Sequence, residues 1–348
     1  MELKETIKAL SRLSAPSGRE EAAAERILEL LRPYVDETRT DAMGNVFGVK
    51  RCGKENAPTL LLDAHMDEVG FVVTEAEEGF LRFAIVGGVD PRMLPGREVT
   101  VLAPEGPLYG VIACLPPHVL TAEEREKAVK VKELYIDVGL SQEEAEKRVL
   151  PGTYGVFRGE CFDLAGDFLC GKALDDRLCV AILLKVMENL KDVKLGYDLC
   201  FMASTQEELG CRGATAGVFS AAPEYCVALD VTHAATPDAP AGAETYEAGC
   251  GAVIDVGPNM NRKMSDALIA YCKEKNIPYK IEVDPKSSGT NAWPIQISRE
   301  GVCTGLLSVP VRYMHSPVET VKLSDAETTA ELLTGFLRDY FEGSVLHA

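Results

Sequence analysis

The chain has 348 residues, of which 46% are hydrophobic, and its formal net charge at pH 7 is −18. Asp and Glu outnumber Lys and Arg by 54 to 36, which argues against a nucleic-acid partner because phosphate binding requires clustered cations. No apolar run approaches the roughly 20 residues that span a bilayer, and the first residues lack the apolar core of a signal peptide, so we expect a cytoplasmic protein with no membrane partner.

Residues 1–68 have the pattern of one part of an α/β domain. Ser17 followed by Glu20 has the spacing of a capping box, and apolar positions then recur at helical spacing, which predicts a helix. Strands are predicted after it at NVFGVK (45–50) and TLLLDAH (59–65). The second is a continuous apolar run, as in strands covered on both faces, and indicates a partly parallel central sheet.

Between residues 69 and 166 the pattern changes to short alternating runs separated by Gly and Pro, with one charged helical stretch at residues 121–139. The runs are FVVTE, FLRFAIV, REVTVLA and YGVIAC. We expect a small, β-rich, barrel-like domain inserted at this point.

After residue 166 helix and strand patterns alternate again. The helices are predicted at DDRLCVAILLKVMENL and SDALIAYCKEKNI, and the strands at KLGYDLCFMAST and YCVALDVTH. Such alternation is typical of an α/β fold with a mostly parallel sheet flanked by helices. The predicted organisation is therefore one α/β domain formed by residues 1–68 and 167–348, interrupted by an insert at 69–166.

Acidic residues and histidines cluster where predicted strands end, and a further acidic pair lies at the head of a predicted helix, in GKALDDR. In open α/β sheets ligands bind beyond the carboxyl ends of the strands, so we expect these side chains to converge. They are His65, Asp175 or Asp176, Glu207, Glu208, Asp230 and His315.

This mixture of imidazole and carboxylate groups predicts a metal site. Nitrogen and oxygen donors together suit Zn²⁺, Co²⁺ or Mn²⁺. The set is too large for one catalytic zinc ion, which takes three protein ligands, and it suits two ions about 3.5–4 Å apart that share a bridging carboxylate. Spacing leaves the bridge open between Asp175 and Asp176.

Six motifs follow one another along nearly the whole chain: AHMDEVGF, GKALDDR, TQEELGCRGA, ALDVTHA, SSGTNAWPIQ and VPVRYMHSPVET. With these motifs the chain resembles the M42 family of metallo-aminopeptidases, which includes glutamyl aminopeptidases and self-compartmentalising TET peptidases. The resemblance implies removal of N-terminal residues from short peptides by water activated between two metal ions. It also implies a homo-oligomer, such as a tetrahedral dodecamer, with the insert at 69–166 mediating assembly of the catalytic domains.

The resemblance also implies a role for each clustered residue. The metal ligands would be His65 and Asp230 for one ion, Glu208 and His315 for the other, and Asp175 as the bridge. Asp67 would orient His65, and Glu207 would be the general base. The choice of Asp175 over Asp176 rests on the resemblance alone.

Some positions depart from the family pattern or receive no role. Asn291 stands in SSGTNA where many family members carry an acid, which leaves the substrate-facing wall undefined. Glu68 and His233 lie beside implied ligands and have no assigned role. His118 and His347 lie outside the motifs and are expected to be structural or at the surface.

Competing chemistries lack their signatures in this sequence. There is no G-x-S-x-G nucleophile motif and no phosphate-binding loop, and a two-carboxylate glycosidase would leave the motif histidines unexplained. The eleven cysteines contain no CxxC pair and mostly lie in apolar strings, so we expect reduced core residues. Two alternatives stay open, a two-metal amidohydrolase acting on N-acyl amino acids and a non-catalytic metal-containing binding protein.

Overall fold

The chain forms a large mixed sheet and a closed barrel. A computed structural model describes residues 1–127 and 129–346, so His347 lies outside the described residues. Within them, eleven strands form the sheet and six form the barrel. No helix of this part of the chain is long and apolar enough to cross a bilayer.

The strands are, in chain order, β1 (Glu37–Thr40), β2 (Val46–Lys50), β3 (Thr59–His65), β4 (Gly70–Glu77), β5 (Phe80–Val86), β6 (Glu98–Val101), β7 (Leu108–Ala113), β8 (Tyr135–Asp137), β9 (Tyr154–Phe157), β10 (Phe162–Leu164), β11 (Phe168–Gly171), β12 (Asp198–Ser204), β13 (Tyr225–His233), β14 (Ala252–Val256), β15 (Tyr279–Val283), β16 (Cys303–Arg312) and β17 (Glu319–Lys322). The α-helices are α1 (Leu3–Ser11), α2 (Glu21–Leu31), α3 (Ala122–Arg125), α4 (Gln142–Arg148), α5 (Leu174–Leu190), α6 (Arg212–Ala221), α7 (Arg262–Lys275), α8 (Ala292–Gln296) and α9 (Leu323–Asp339), and a π-helical turn follows at Glu342–Leu346.

The centre of the large sheet is parallel. Its strand order is β1-β2-β12-β3-β13-β16-β17-β11-β10, with β14 paired to β16 and β15 paired to β14. Strands β12, β3, β13 and β16 run in the same direction, and Ser204 of β12 lies opposite His65 of β3. The carboxyl ends of these strands therefore lie at one edge, as the sequence predicts.

Strand β3 is buried on both faces, which explains its continuous apolar run. Leu60 and Leu62 belong to the core formed with α1, α5 and α9. Leu61 points the other way, into a smaller core that includes residues of α6 and α8. Helices cover both faces, so the predicted α/β class is confirmed.

The barrel is formed by strands in the order β4-β5-β8-β7-β6-β9, all lying between Gly70 and Phe157. Its interior is built around Phe71, whose ring lies 5.6 Å from that of Phe83 and 5.8 Å from that of Phe157. The expected barrel-like element is thus present. Strand β10 pairs with β11 of the large sheet, and the domain limits at 68/69 and 166/167 stay a prediction.

Two local predictions are wrong. Ser17 does not cap a helix, because α2 begins at Glu21 and the Ser17 hydroxyl donates to Asp67 instead. The charged stretch at residues 121–139 is helical in α3 but ends in strand β8, which pairs with β5 and β7. Pairing within the barrel overrides the local helical pattern there.

A buried ion cluster joins the N-terminal segment to the start of the barrel. Glu68 accepts hydrogen bonds from Lys172 Nζ at 2.7 and 2.6 Å and from Arg177 Nη2 at 3.0 Å, and all three side chains are buried. The two cations also donate to main-chain carbonyls of the segment between α1 and α2. Burial by itself raises the pKa of the Glu68 carboxyl, but Lys172 and Arg177 outweigh it and hold that pKa below its usual range.

Replacing Glu68 by Gln should destabilise the fold strongly. The change leaves Lys172 and Arg177 buried without a counter-charge, which typically costs about 3–5 kcal/mol. The free energy of unfolding is measured by urea denaturation of the metal-free protein. As a control, Glu29→Gln removes an exposed ion pair with Arg26 and should leave the midpoint nearly unchanged. Equal midpoints for both variants would contradict a structural role for Glu68.

Candidate metal centre

The predicted site residues converge at the carboxyl edge of the sheet, on the wall of a cavity of about 540 Å³. They come from separate elements, namely His65 at the end of β3, Asp230 in β13, Glu207 and Glu208 in a turn after β12, Asp175 at the head of α5 and His315 after β16. These six line the cavity, and Asp67 lies behind them with no exposed surface.

Asp175 lies between the two histidines. Its Oδ1 is 3.0 Å from His65 Nε2, and its Oδ2 is 3.3 Å from His315 Nε2. Burial raises the pKa of Asp175, but these contacts outweigh it and hold the pKa below its usual range. Each oxygen of one carboxylate thus faces a different histidine, which is the arrangement that a bridging ligand requires.

Asp176 is placed differently. Both aspartates have non-helical backbone angles at the head of α5, and the peptide bond between them is cis. Asp176 has no exposed surface and does not line the cavity. The structure therefore separates two neighbours that sequence spacing leaves equivalent.

The donor atoms form groups of the size that a metal ion needs. His65, Asp175 and Asp230 offer ligand atoms within 4.8 Å of one another, and so do Asp175, Glu208 and His315. Asp175 belongs to both groups. A third group of that size joins His65 with Glu207 and Glu208. Mixed nitrogen and oxygen donors of this kind could hold a divalent metal ion.

Asp67 connects His65 to the turn that carries the glutamates. Its Oδ1 lies 3.3 Å from His65 Nδ1, and its carboxylate accepts the main-chain N–H groups of Glu207 at 3.0 Å and Glu208 at 3.2 Å. The Ser17 hydroxyl donates to the same carboxylate at 2.5 Å. The contact with His65 is the one that the sequence predicts, whereas the anchoring of the turn is not visible in the sequence.

Glu207 and Glu208 both face the cavity because the strand has already ended. Strand β12 stops at Ser204, and Gln206 and Gly210, both with left-handed backbone angles, flank a 3₁₀ turn at Glu207–Leu209. Within a regular strand, neighbouring side chains would point to opposite faces.

The two glutamates have different contacts. Glu208 Oε1 lies 3.3 Å from His315 Nε2, whereas Glu207 Oε1 accepts a hydrogen bond from the Cys211 thiol at 3.2 Å. Burial raises the pKa of Glu207, and burial together with the charge of Asp175 raises the pKa of Glu208 to about 8. Like charges crowd this site, so a bound cation would stabilise it.

His315 is oriented by the barrel. Its Nδ1 lies 2.8 Å from the main-chain oxygen of Gly88, in the loop between β5 and β6, and must donate because a carbonyl only accepts. Nε2 is thereby directed to Asp175 and Glu208. The hydrogen bond to Asp175 and the charges of Glu208 and Asp175 raise the pKa of His315 to about 10.

Sequence reasoning missed Glu319, although it lies within the motif VPVRYMHSPVET. Its carboxylate accepts the main-chain N–H of Asp175 at 3.0 Å and that of His315 at 2.9 Å, and the side chain is buried. One side chain therefore holds the backbone of two candidate ligands. The sequence feature that could have indicated this role is an acidic residue four positions after His315 within the motif.

Asn291 does not line the cavity. Its amide donates to Asp63 Oδ2 at 2.8 Å and to Ser204 Oγ at 2.7 Å, and it is buried behind the site. Asp63 is buried two residues before His65, and burial raises its pKa to about 7. An acid at position 291 would place a second carboxyl group against Asp63. The departure from the family pattern thus concerns packing beneath the site, not the substrate-facing wall.

The remaining described histidines lie outside the cluster. His233 lines the cavity but belongs to none of the groups of donor atoms found among the described residues, and His118 is exposed.

Comparisons of the sequence and of the structure with known proteins point to the same family. A family model described as M42 glutamyl aminopeptidase matches residues 44–332. A lysyl aminopeptidase of Pyrococcus furiosus is 36% identical over 318 residues, which cover 90% of each chain. The structure of an aminopeptidase from the archaeon Desulfurococcus kamchatkensis superposes with a TM-score of 0.89 at 34% identity, over 97% of this chain and 94% of that one. A TET1 peptidase of Pyrococcus horikoshii, described as able to assemble into a tetrahedron or a large octahedral shell, gives 0.84 at 31% identity, over 97% and 99%.

Replacing Gly88 by Ala should weaken metal binding. A Cβ atom at this position would lie 2.8 Å from His315 Nδ1, so the ring must move away from its orientation. Loss of a residue that orients a ligand typically costs 10–100-fold in metal affinity, and we expect about tenfold or more. The affinity is measured by competition with a fluorescent chelator for Zn²⁺ or Co²⁺.

Gly343→Ala is the matched control, because a Cβ atom there meets no heavy atom within 4 Å. Equal affinities for the wild type and Gly88→Ala would show that the barrel does not orient His315.

Proposed function

The chain belongs to the M42 glutamyl aminopeptidase family and is a metal-dependent aminopeptidase, and from this premise we propose that it removes N-terminal residues from short peptides at the cavity of His65, Asp175 and His315. The observation that carries the proposal is the position of Asp175, whose two oxygens face the two histidines.

The proposed site holds two divalent ions. The proposed ligands are His65 and Asp230 for one ion, Glu208 and His315 for the other, and Asp175 as the bridge. The two groups of donor atoms that share Asp175 support this assignment. The absence of a thiolate from these groups favours Zn²⁺, Co²⁺ or Mn²⁺ in a catalytic rather than a structural site.

Two divalent ions at this position would acidify a water molecule and polarise the carbonyl of the scissile peptide bond. Glu207 is the proposed general base: it removes a proton from the attacking water and then donates it to the leaving amine. Its place on the cavity wall and its raised pKa support this role. Asp67 is a positioning residue, because it faces His65 and binds the turn that carries Glu207.

Family membership does not specify the residue that is removed. The family description names a glutamyl aminopeptidase, and the relative from Pyrococcus furiosus is a lysyl aminopeptidase. An amidohydrolase acting on N-acyl amino acids is the alternative activity. A non-catalytic binding protein is disfavoured, since the carboxylate of Glu207 would then have no use in the cavity.

We propose a cytoplasmic homo-oligomer, a tetrahedral dodecamer, with residues 69–166 as the assembly domain. The assembly described for the Pyrococcus horikoshii relative supports it. Large apolar side chains are exposed on the barrel and its adjoining loops, namely Tyr109, Val111, Leu115, Val119 and Leu150. All eleven cysteines are free, which supports a reducing compartment.

Activity should require both a metal ion and a free amino terminus. Protein stripped with a chelator should be inactive and should recover on addition of Co²⁺, Zn²⁺ or Mn²⁺. The reloaded protein should hydrolyse aminoacyl amides of 7-amino-4-methylcoumarin and leave their N-acetylated forms intact. Preference for the N-acetylated compounds would favour the amidohydrolase alternative.

The adjacent glutamates provide the control for this experiment. Glu207→Gln should retain both metal ions and lose activity by about 10²-fold or more, because it removes the base without removing a ligand. Glu208→Ala should instead lose metal content, measured by atomic emission. Near-normal turnover of Glu207→Gln would rule out the proposed base.

The proposed assembly predicts a particle of twelve 37.7-kDa chains in light scattering of the purified protein. Tyr109→Asp places a charge on the exposed barrel surface and should lower the mass if this face forms the contacts. A charge at Phe219, which is exposed on α6 outside the barrel, is the matched control. A strictly monomeric wild type would refute the assembly.

A further inference from the structure

The cavity extends beyond the proposed metal cluster along the same face of the sheet. Asp230 of β13 lies opposite Ser308 of β16, and Ser308 lies opposite Val253 of β14. Residues directly opposite one another in a sheet share a face, and so do residues two apart along a strand. Asp255, two residues after Val253, therefore shares the face of Asp230, and both line the cavity.

Three acids form this far wall. Asp255 lies opposite Glu282 of β15, Asp284 follows two residues later, and all three line the cavity. Glu282 accepts a hydrogen bond from the Thr232 hydroxyl at 3.2 Å, and Asp284 accepts the main-chain N–H of Lys286 at 3.1 Å.

Asp255 lacks such compensation. Its side chain is only 3% exposed, yet its Oδ1 has no hydrogen-bond partner. Burial and the neighbouring charges of Glu282 and Asp284 raise its pKa to about 7. A buried carboxylate beside two other acids is unfavourable unless a cation is supplied.

The described part of the chain supplies no such cation on the cavity wall. None of the described residues that line the cavity is Lys or Arg. The three acids are also not a compact metal site, because the groups of close donor atoms in the described part of the chain include none of them. Their spread along two strands fits an extended organic cation better than a single ion.

We propose that Asp255, Glu282 and Asp284 form a subsite for the cationic side chain of an N-terminal Lys or Arg residue of the peptide. The inference rests on the proposed function, which places the carbonyl of the N-terminal residue at the metal cluster. Strands β13 and β14 are two strand spacings of about 4.8 Å apart, and the register offsets Asp255 from Asp230 by two residues along the strands. The four-carbon stem of lysine together with the carboxylate side chains can cover this separation. An N-terminal Glu or Asp would add a like charge and is rejected.

The test compares substrates that differ only in the terminal charge. Aminomethylcoumarin amides of Lys and of norleucine, its uncharged counterpart, are assayed with the metal-loaded protein, together with those of Arg and Glu. We expect kcat/KM for Lys and Arg to exceed that for norleucine about 30-fold or more, and the Glu substrate to be the poorest.

The Lys-to-norleucine ratio should fall toward one in the double variant Asp255→Asn and Glu282→Gln, with metal content retained. Because Asp255 is buried, Glu282→Gln alone serves as a second variant and should lower the ratio about threefold or more. The matched control is Asp266→Asn on α7, which removes an exposed acid outside the cavity and should leave the ratio unchanged.

Three results would overturn the inference. If norleucine is cleaved as well as Lys, or if the ratio survives in both cavity variants, the acids are not the subsite, while cleavage of norleucine still upholds the aminopeptidase. If no free-amine substrate is cleaved by the metal-loaded protein, the proposed function fails and the subsite falls with it.

Discussion

The carboxylate of Asp67 is the contact on which the geometry of the site depends. It faces His65 Nδ1, accepts both N–H groups of the turn at Glu207 and Glu208, and receives the Ser17 hydroxyl. One carboxylate therefore contacts the end of β3, the turn after β12 and the segment before α2. Such a shared anchor leaves a ligand and a base little freedom to move relative to each other.

The separation of the buried cations from the acids of the cavity is a second constraint on the site. Lys172 and Arg177 lie close in sequence to Asp175, but both donate to Glu68 and to main-chain carbonyls. The buried cations thus bind the N-terminal segment. The described residues that line the cavity, by contrast, include several acids and neither Lys nor Arg. The resulting like-charge repulsion favours cationic ligands, which are metal ions at one end of the cavity and, in our inference, the substrate side chain at the other.

The barrel contributes to the site as well as offering a surface for assembly. The loop after β5 presents Gly88 to His315, and a Cβ atom on the preceding Gly87 would approach Glu208 Oε2 to 3.3 Å. Only residues without a side chain allow the loop to lie this close to the cluster. Changes in the barrel can therefore affect the site through His315.

The sequence by itself determined the position of His65 at the end of a strand and of Asp230 near the end of another, the alternation that defines the α/β class, and the donor types that point to metal ions. These features are local, because periodicity and strand endings depend on neighbouring residues. Spacing left Asp175 and Asp176 equivalent, and the resemblance alone favoured Asp175; the tertiary structure shows that Asp176 does not line the cavity. Only the tertiary structure shows that the Ser17 hydroxyl donates to Asp67 rather than capping a helix, and that Asn291 is buried beneath the site. It also shows that Gly88 and Glu319 contact the candidate ligands and that Asp255 lines the cavity. Each of these roles depends on a contact between segments that are far apart in the chain. A local sequence pattern does not specify which distant segment lies next to a residue, so it could not predict these contacts.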